Sequence, residues 1–283
     1  MIISSNIRAC TLIILLMLIP IIGIKATEPD SSSIGRAKQS GDTVKTDTLR
    51  QAMNNAFRSG EYCTFDVNYG FITAGEAILN VSDTLYHRRK CYHVEFQLKS
   101  KPFFDTFYEV RDRYVTVIDA DGMFPWRFEQ HIREGGYKRD FIAEFDQLTH
   151  QVTTTDKKIE IPPYVQDILS AFYFTRTVDF TNFHPGEKIH LQNFYKDSTY
   201  ELDVKFKGRE TIKVDAGKFR CIIVEPLVKE GGLFKSEGRI LVWLTDDERH
   251  LPVKVTAKII IGSVEAELTG YKGISGYLKS KVE

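Results

Sequence analysis

From Gly60 onward, large side chains recur at every second position. Cys63, Phe65, Val67, Tyr69 and Phe71 alternate with Thr64, Asp66 and Asn68, and the same rhythm returns over 77–81, 92–98 and 107–118. A period of two sends successive side chains to opposite faces of an extended chain, so these segments predict strands half buried against a core. Turn chemistry separates them at Asp119-Ala120-Asp121-Gly122, at Glu134-Gly135-Gly136 and around Asp146. Turns about 8 to 12 residues apart suit an antiparallel meander, here of about seven strands before Lys158. Then the period changes. After Pro162-Pro163, the residues Val165, Ile168, Leu169, Phe172 and Tyr173 follow at spacings of three and four, which predicts a helix over 163–178 with proline in its first turn. Its wide apolar face needs a large partner, and the sheet is the one at hand. A second strand series follows over 188–195, 200–207, 210–214, 219–228, 238–244, 252–261 and 264–271. Its turn signals are at Asp197-Ser198, Gly208, Asp215-Ala216-Gly217, Gly231-Gly232 and Asp246-Asp247. Strands, helix, strands predict a mainly β domain over 60–275. Its large curved antiparallel sheet, a half-barrel or open barrel, carries a central helix on its concave face, followed by a short tail over 276–283. The alternative is two small sheets joined through the helix.

The chain ahead of the sheet reads differently. An apolar run over 11–24, preceded by Arg8 and closed by Lys25-Ala26, has the form of a signal peptide (1–26) cut after Ala26. With Ala9 and Cys10 it approaches bilayer-spanning length, so a retained N-terminal anchor is the other reading. Cys10 precedes the apolar run, whereas a lipid-modified cysteine follows one. Residues 27–46 hold almost no large apolar side chain and cannot offset the entropy of ordering, which predicts a flexible leader. Asp47, then Leu49, Met53 and Phe57 at spacings of four with Ala52 and Ala56 beside them, predicts a short capped helix over 47–59, stopped by Gly60.

Charge narrows the choice of partner. Lys and Arg number 38 against 38 Asp and Glu, well mixed along the chain, so nothing favours nucleic acid. Removing the leader leaves Cys63, Cys91 and Cys221, an odd count that cannot close as a disulfide framework. Cys63 shares strand parity with Phe65 and Val67, Cys91 with His93 and Glu95, so the two face different surroundings. Buried, inert thiols are expected.

Several motifs together resemble a known family. Asn68-Tyr69-Gly70 with Ala74-Gly75, Asp167-Ile168-Leu169-Ser170 at the start of an aromatic helix, Ala216-Gly217-Lys218-Phe219, and the run ILVWLTDDERHLPVKV over 240–255 look like the exported bacterial domain of unknown function DUF3108. The last motif is also similar to the tryptophan-to-proline hairpin of the periplasmic lipoprotein carriers LolA and LolB, whose open barrel holds an acyl chain. The resemblance implies export, a periplasmic or other envelope location, and an open β fold. It implies no reaction and no catalytic residues.

A search for chemistry returns little. His184 and His190 flank one turn, His87 and His93 another, and His131, His150 and His250 stand apart, with no metal-ligand spacing on one element. Neither a nucleophile elbow nor a glycine-rich phosphate loop is present, so no cofactor is implied. The carboxylates at Asp119 and Asp121, at Asp246 to Glu248, and at Glu109 and Asp112 read as turn caps and cross-strand ion pairs. What stands out is aromatic. Phe103, Phe104, Phe107, Trp126, Phe172 and Tyr173 are either ordinary core or the lining of an apolar groove for a lipid-like chain, with Arg111, Arg113 and Arg127 as anchors for an acidic headgroup. The expectation is a non-catalytic carrier of an apolar ligand, with peripheral or no membrane contact once the leader is gone. The alternatives are an assembly factor pairing with an envelope protein through a sheet edge, and, less expected, a hydrolase of envelope polymers.

Overall fold

A computed structural model describes residues 49–228, 240–258 and 262–282. The signal peptide, the leader and the Gly231-Gly232 turn lie outside the described residues. The alternating segments form strands β1 (Tyr62–Tyr69), β2 (Ile72–Tyr86), β3 (Arg89–Ser100), β4 (Arg111–Asp119), β5 (Pro125–Glu134), β6 (Tyr137–Asp146), β7 (Gln151–Thr154) and β8 (Lys158–Glu160). Past the helical interruption come β9 (Lys188–Tyr195), β10 (Ser198–Val214), β11 (Gly217–Val228), β12 (Ile240–Thr245), β13 (Pro252–Lys258), β14 (Ser263–Lys272) and β15 (Lys281–Val282). All belong to one sheet in the order β8-β7-β6-β5-β4-β3-β2-β1-β14-β13-β12-β11-β10-β9, with β15 on β11, so the two-sheet alternative does not hold. The halves join where β1 pairs with β14 in antiparallel register, Val67 opposite Ala266.

The sheet curls until its ends approach without pairing. Phe145 on β6 meets Phe194 on β9 at 5.8 Å between ring centroids, and Arg139 reaches the Tyr195 hydroxyl at 3.5 Å. One residue bridges this seam on the β9 side: Gln166 donates its N–H to Gln192 O at 2.8 Å and accepts from Phe194 N at 2.7 Å. A parallel bridge between Gln166 and Asn193 accompanies them.

Among the described residues, two helices complete the fold: α1 (Pro102–Tyr108) and α2 (Ile168–Arg176). Helix α2 is shorter than the 163–178 expected from its spacing. Tyr164 has a positive φ of 58° and Gln166 is bonded to β9, so both are held out of helical geometry and the helix starts only after Asp167. Asp167 caps it reciprocally, accepting from Leu169 N and Ser170 N at 2.8 and 3.0 Å while its own N–H donates to Ser170 Oγ. Asp167 is fully buried and also receives Thr116 Oγ1 from β4 at 2.6 Å, pinning the helix start to the inner face of the sheet. Burial pushes its carboxyl up to about 6 against these hydrogen bonds.

The far end of α2 is held by a charge pair that spacing could not reveal. Arg176, fully buried, makes two bonds to Glu61, Nη1 to Oε1 at 2.6 Å and Nη2 to Oε2 at 2.8 Å, and Nε donates to His250 O at 3.0 Å. Burial opposes the charge on Arg176, and Glu61 outweighs it.

Three other expectations need correction. The helix over 47–59 is absent from its described part: Ala52 N donates to Asp121 O, while Ala56 N and Phe57 N donate to the Asn54 side chain, so donors a helix would need are engaged elsewhere. Gly208 is a bulge inside one long strand, with φ of 138° and a register shift between Phe206 and Gly208, so the two strands expected over 200–214 are one. The strand expected to begin at 107 begins at Arg111, because Pro102–Tyr108 is helical.

Candidate functional site

Helix α1 follows from its first residues. Lys101 is extended, Pro102 takes the first helical turn, and the Ser100 hydroxyl donates to Asp105 inside that turn. Arg111 also binds Asp105, at 2.5 Å, and holds its carboxyl below the usual range. Phe104 and Tyr108 fall one turn apart and face the sheet, whereas Phe103 and Phe107 form the opposite pair and stay exposed.

Between α1 and the inner face of β1, β2 and β3 lies an apolar cavity of about 150 Å³ with an open mouth. Its lining includes Val67, Gly75, Leu98 and Ser100 on the strands, Phe104, Phe107 and Tyr108 on the helix, and Tyr69 and Ile72 beside the β1–β2 turn. Gly75 matters here. A Cβ at this position would come within 2.7 Å of Lys99 O, so only glycine lets β2 and β3 close behind the cavity. A second apolar space of about 60 Å³, lined by Phe65, Ala77, Leu79, Phe96, Ile168, Leu169 and Phe172, lies under α2. Register relates the two. Val67 pairs Gly75 and Gly75 pairs Ser100, while Phe65 pairs Ala77 and Ala77 pairs Leu98, so the two spaces occupy successive rows of one strand face.

The aromatic and arginine candidates separate into groups. Phe104 and Phe107 line the outer cavity, with Phe103 beside them on α1, and Phe172 lines the inner one. Tyr173 is fully buried on α2 and packs edge-on to Phe57 at 4.7 Å. Trp126 is remote from both spaces, in a separate cluster with Cys91, Val117 and Phe124, and its Nε1 donates to Asp119 at 3.0 Å. Arg111 lies at the cavity rim but is engaged with Asp105 and Ser100. Arg113 and Arg127 follow the strand parity opposite to Tyr114 and Phe128, which face the core. They pair with Glu95 and Glu129, each at 2.7 Å, in an outward ladder of charges. Cys63, Cys91 and Cys221 are free and buried, and burial raises all three thiols, Cys91 and Cys221 to about 12.

A polar pair next to the cavity departs from the sequence reading, in which Asp112 belonged to a cross-strand ion pair and Glu134 to a turn. Asp112 and Glu134 are both buried on the inner face. Burial pushes both carboxyls up, and the neighbouring Asp112 charge raises Glu134 further. Arg133 N donates to Asp112 at 2.8 Å, and the Tyr108 side chain of α1 bonds Glu134. The available signal was strand parity: Asp112 alternates in phase with Tyr114 and Thr116, not with Arg111 and Arg113.

These features define a large open β-barrel with a plugging helix and an apolar mouth at one rim. The chain belongs to the DUF3108 family, whose description is a protein of unknown function, and the match covers residues 64–269. A β-barrel-like protein of the domain of unknown function DUF1849 from Brucella abortus is similar in fold at 9% identity and a TM-score of 0.53, covering 77% of this chain and 98% of that one. Two looser likenesses are a Bacteroides fragilis protein described as exported, with a YmcC-like fold (12% identity, TM-score 0.35, 80% of this chain and 100% of that), and a Parabacteroides distasonis protein described as a lipoprotein (12% identity, TM-score 0.29, 80% and 100%). Among curated proteins none matches the sequence.

Proposed function

We propose that this protein binds the alkyl chain of a lipid-like molecule in the cell envelope, without catalysing a reaction on it. The observation that carries this is the pair of apolar spaces on successive rows of one strand face, the outer one open between α1 and β1 to β3. An apolar cavity near 150 Å³ is the size of one that takes up benzene, so the outer space fits the end of an alkyl chain rather than a whole lipid. The signal-like run over 11–24 supports export.

Two observations weigh against the alternatives. Acid–base chemistry on a molecule in the cavity needs carboxyls that reach it, whereas Asp112 and Glu134 are buried and neither lines the cavity. Recruitment of a partner strand needs a free edge, but β9 is bridged by Gln166 and β8 spans only Lys158–Glu160.

The test is binding of a fluorescent long-chain fatty acid to the purified protein, with native mass spectrometry of protein taken from its own envelope. Val67→Phe intrudes on the outer space and should weaken the probe at least about tenfold, the equivalent of excluding roughly two methylenes. Protein that carries no apolar molecule and fails to take up the probe would sink the proposal.

A further inference from the structure

The phenylalanines show where the cavity points. Among the described residues, the exposed ones are Phe71, Phe103 and Phe107, at 98%, 72% and 69%; Phe107 lines the cavity, and Phe71 and Phe103 are next in the chain to the lining residues Ile72 and Phe104. Phe71 tips the β1–β2 turn beside Ile72, itself 44% exposed and part of the lining, and Phe103 and Phe107 form the outer stripe of α1. Two elements far apart in sequence thus project large apolar side chains around one opening. Scattered exposed apolar residues call for no explanation, but a rim of them does.

We propose that this rim seats on the surface of a lipid bilayer, with Phe71, Phe103 and Phe107 inserted among the lipids. The inference rests on the alkyl-chain reading and adds how the chain arrives. A chain that moves from a bilayer into the mouth stays out of water only if the mouth is against the bilayer, and the exposed aromatics supply that seal. Charge shows what kind of surface is met. Lys99 pairs with Glu76 at 3.2 Å, Lys101 with Asp66 at 3.7 Å, and Arg111 with Asp105, with Glu109 close by. The cations of the rim are thus matched by acids, and insertion of apolar side chains, not attraction to anionic headgroups, drives the contact.

The experiment places a tryptophan at the rim of the full chain, as Phe71→Trp or Phe107→Trp, with Leu85→Trp as a control at an exposed position outside the mouth. The native Trp126 and Trp243 are buried, which keeps their emission a constant background. Vesicles of phosphatidylcholine carrying bromine on the acyl chains report depth by quenching. The expected result is loss of most of the added emission at positions 71 and 107, little at 85, and no change on raising the salt. Equal quenching at all three positions, or none at 71 and 107, overturns the proposal, as does quenching that salt abolishes. Fatty-acid binding is read separately: a cavity that still takes the probe while the rim stays unquenched refutes only the membrane contact.

Discussion

Converting Asp112 and Glu134 to amides together should remove a pH dependence that the wild-type fold carries. Unfolded, the two carboxyls titrate near 4, in the ordinary range for Asp and Glu. Folded, burial raises both, so in the pH range between the ordinary and the raised values the native state holds at least one proton that the unfolded state has lost. An acid whose folded pKa is raised stabilises the fold least at high pH. Stability should therefore fall as pH rises through this window, by about 1.4 kcal/mol per pH unit for each proton retained. In Asp112→Asn/Glu134→Gln the amides keep a hydrogen bond without needing a proton. The assay is urea denaturation of both proteins at a series of pH values from the ordinary carboxylate range to above neutrality. The amide variant should gain on wild type by about 1.4 kcal/mol per unit. A difference that stays flat across the series would show that burial does not hold these carboxyls protonated in the folded protein.

Arg176→Met should destabilise by about 3 to 5 kcal/mol in the same denaturation, because it leaves Glu61 buried without its partner, and adding Glu61→Gln should recover part of the loss. Asp167→Ala should cost about 1 to 2 kcal/mol as a lost helix cap, while Asp167→Asn keeps an acceptor for Leu169 N and Ser170 N and should cost clearly less. A thiol reagent at neutral pH should modify Cys63, Cys91 and Cys221 only as fast as the protein unfolds, since all three are buried with their thiolates disfavoured; rapid labelling of native protein would contradict this.

Strand periodicity carried most of the fold because one side of the sheet is buried along nearly its whole length, and such a face leaves a period of two in the sequence. The helix at 168 was legible in the spacing of Ile168, Leu169, Phe172 and Tyr173, but the spacing placed its start at Pro163 and missed that Asp167 caps it. Helix α1 was not, because seven residues make too few turns to separate a period of 3.6 from 2, and Pro102 at its start was the one local sign. Gly208 misled since glycine serves bulges and turns alike. For the candidate site, the aromatics were visible as composition but not as geometry. Phe103 and Trp126 look alike in sequence, yet one stands exposed on α1 and the other is packed in a separate cluster and held by Asp119. Arg176 shows the limit. Its partner Glu61 is 115 residues away, and nothing local marks a helix-end arginine as buried.

The outer cavity has an energetic consequence that binding alone does not. The apolar walls of the outer cavity face an open mouth and are not packed against protein, and an alkyl chain seated there would bury part of that surface. A domain with so large a sheet has apolar side chains enough to fill such a gap, and Gly75 shows instead a position where the smallest residue is required. If the space serves a ligand, filling it from the protein side should trade one property for the other. Val67→Phe should then raise the melting temperature of ligand-free protein while weakening the fatty-acid probe. A melting temperature that falls, with probe binding intact, would mean that Val67 is tightly packed and the space is not where the chain goes.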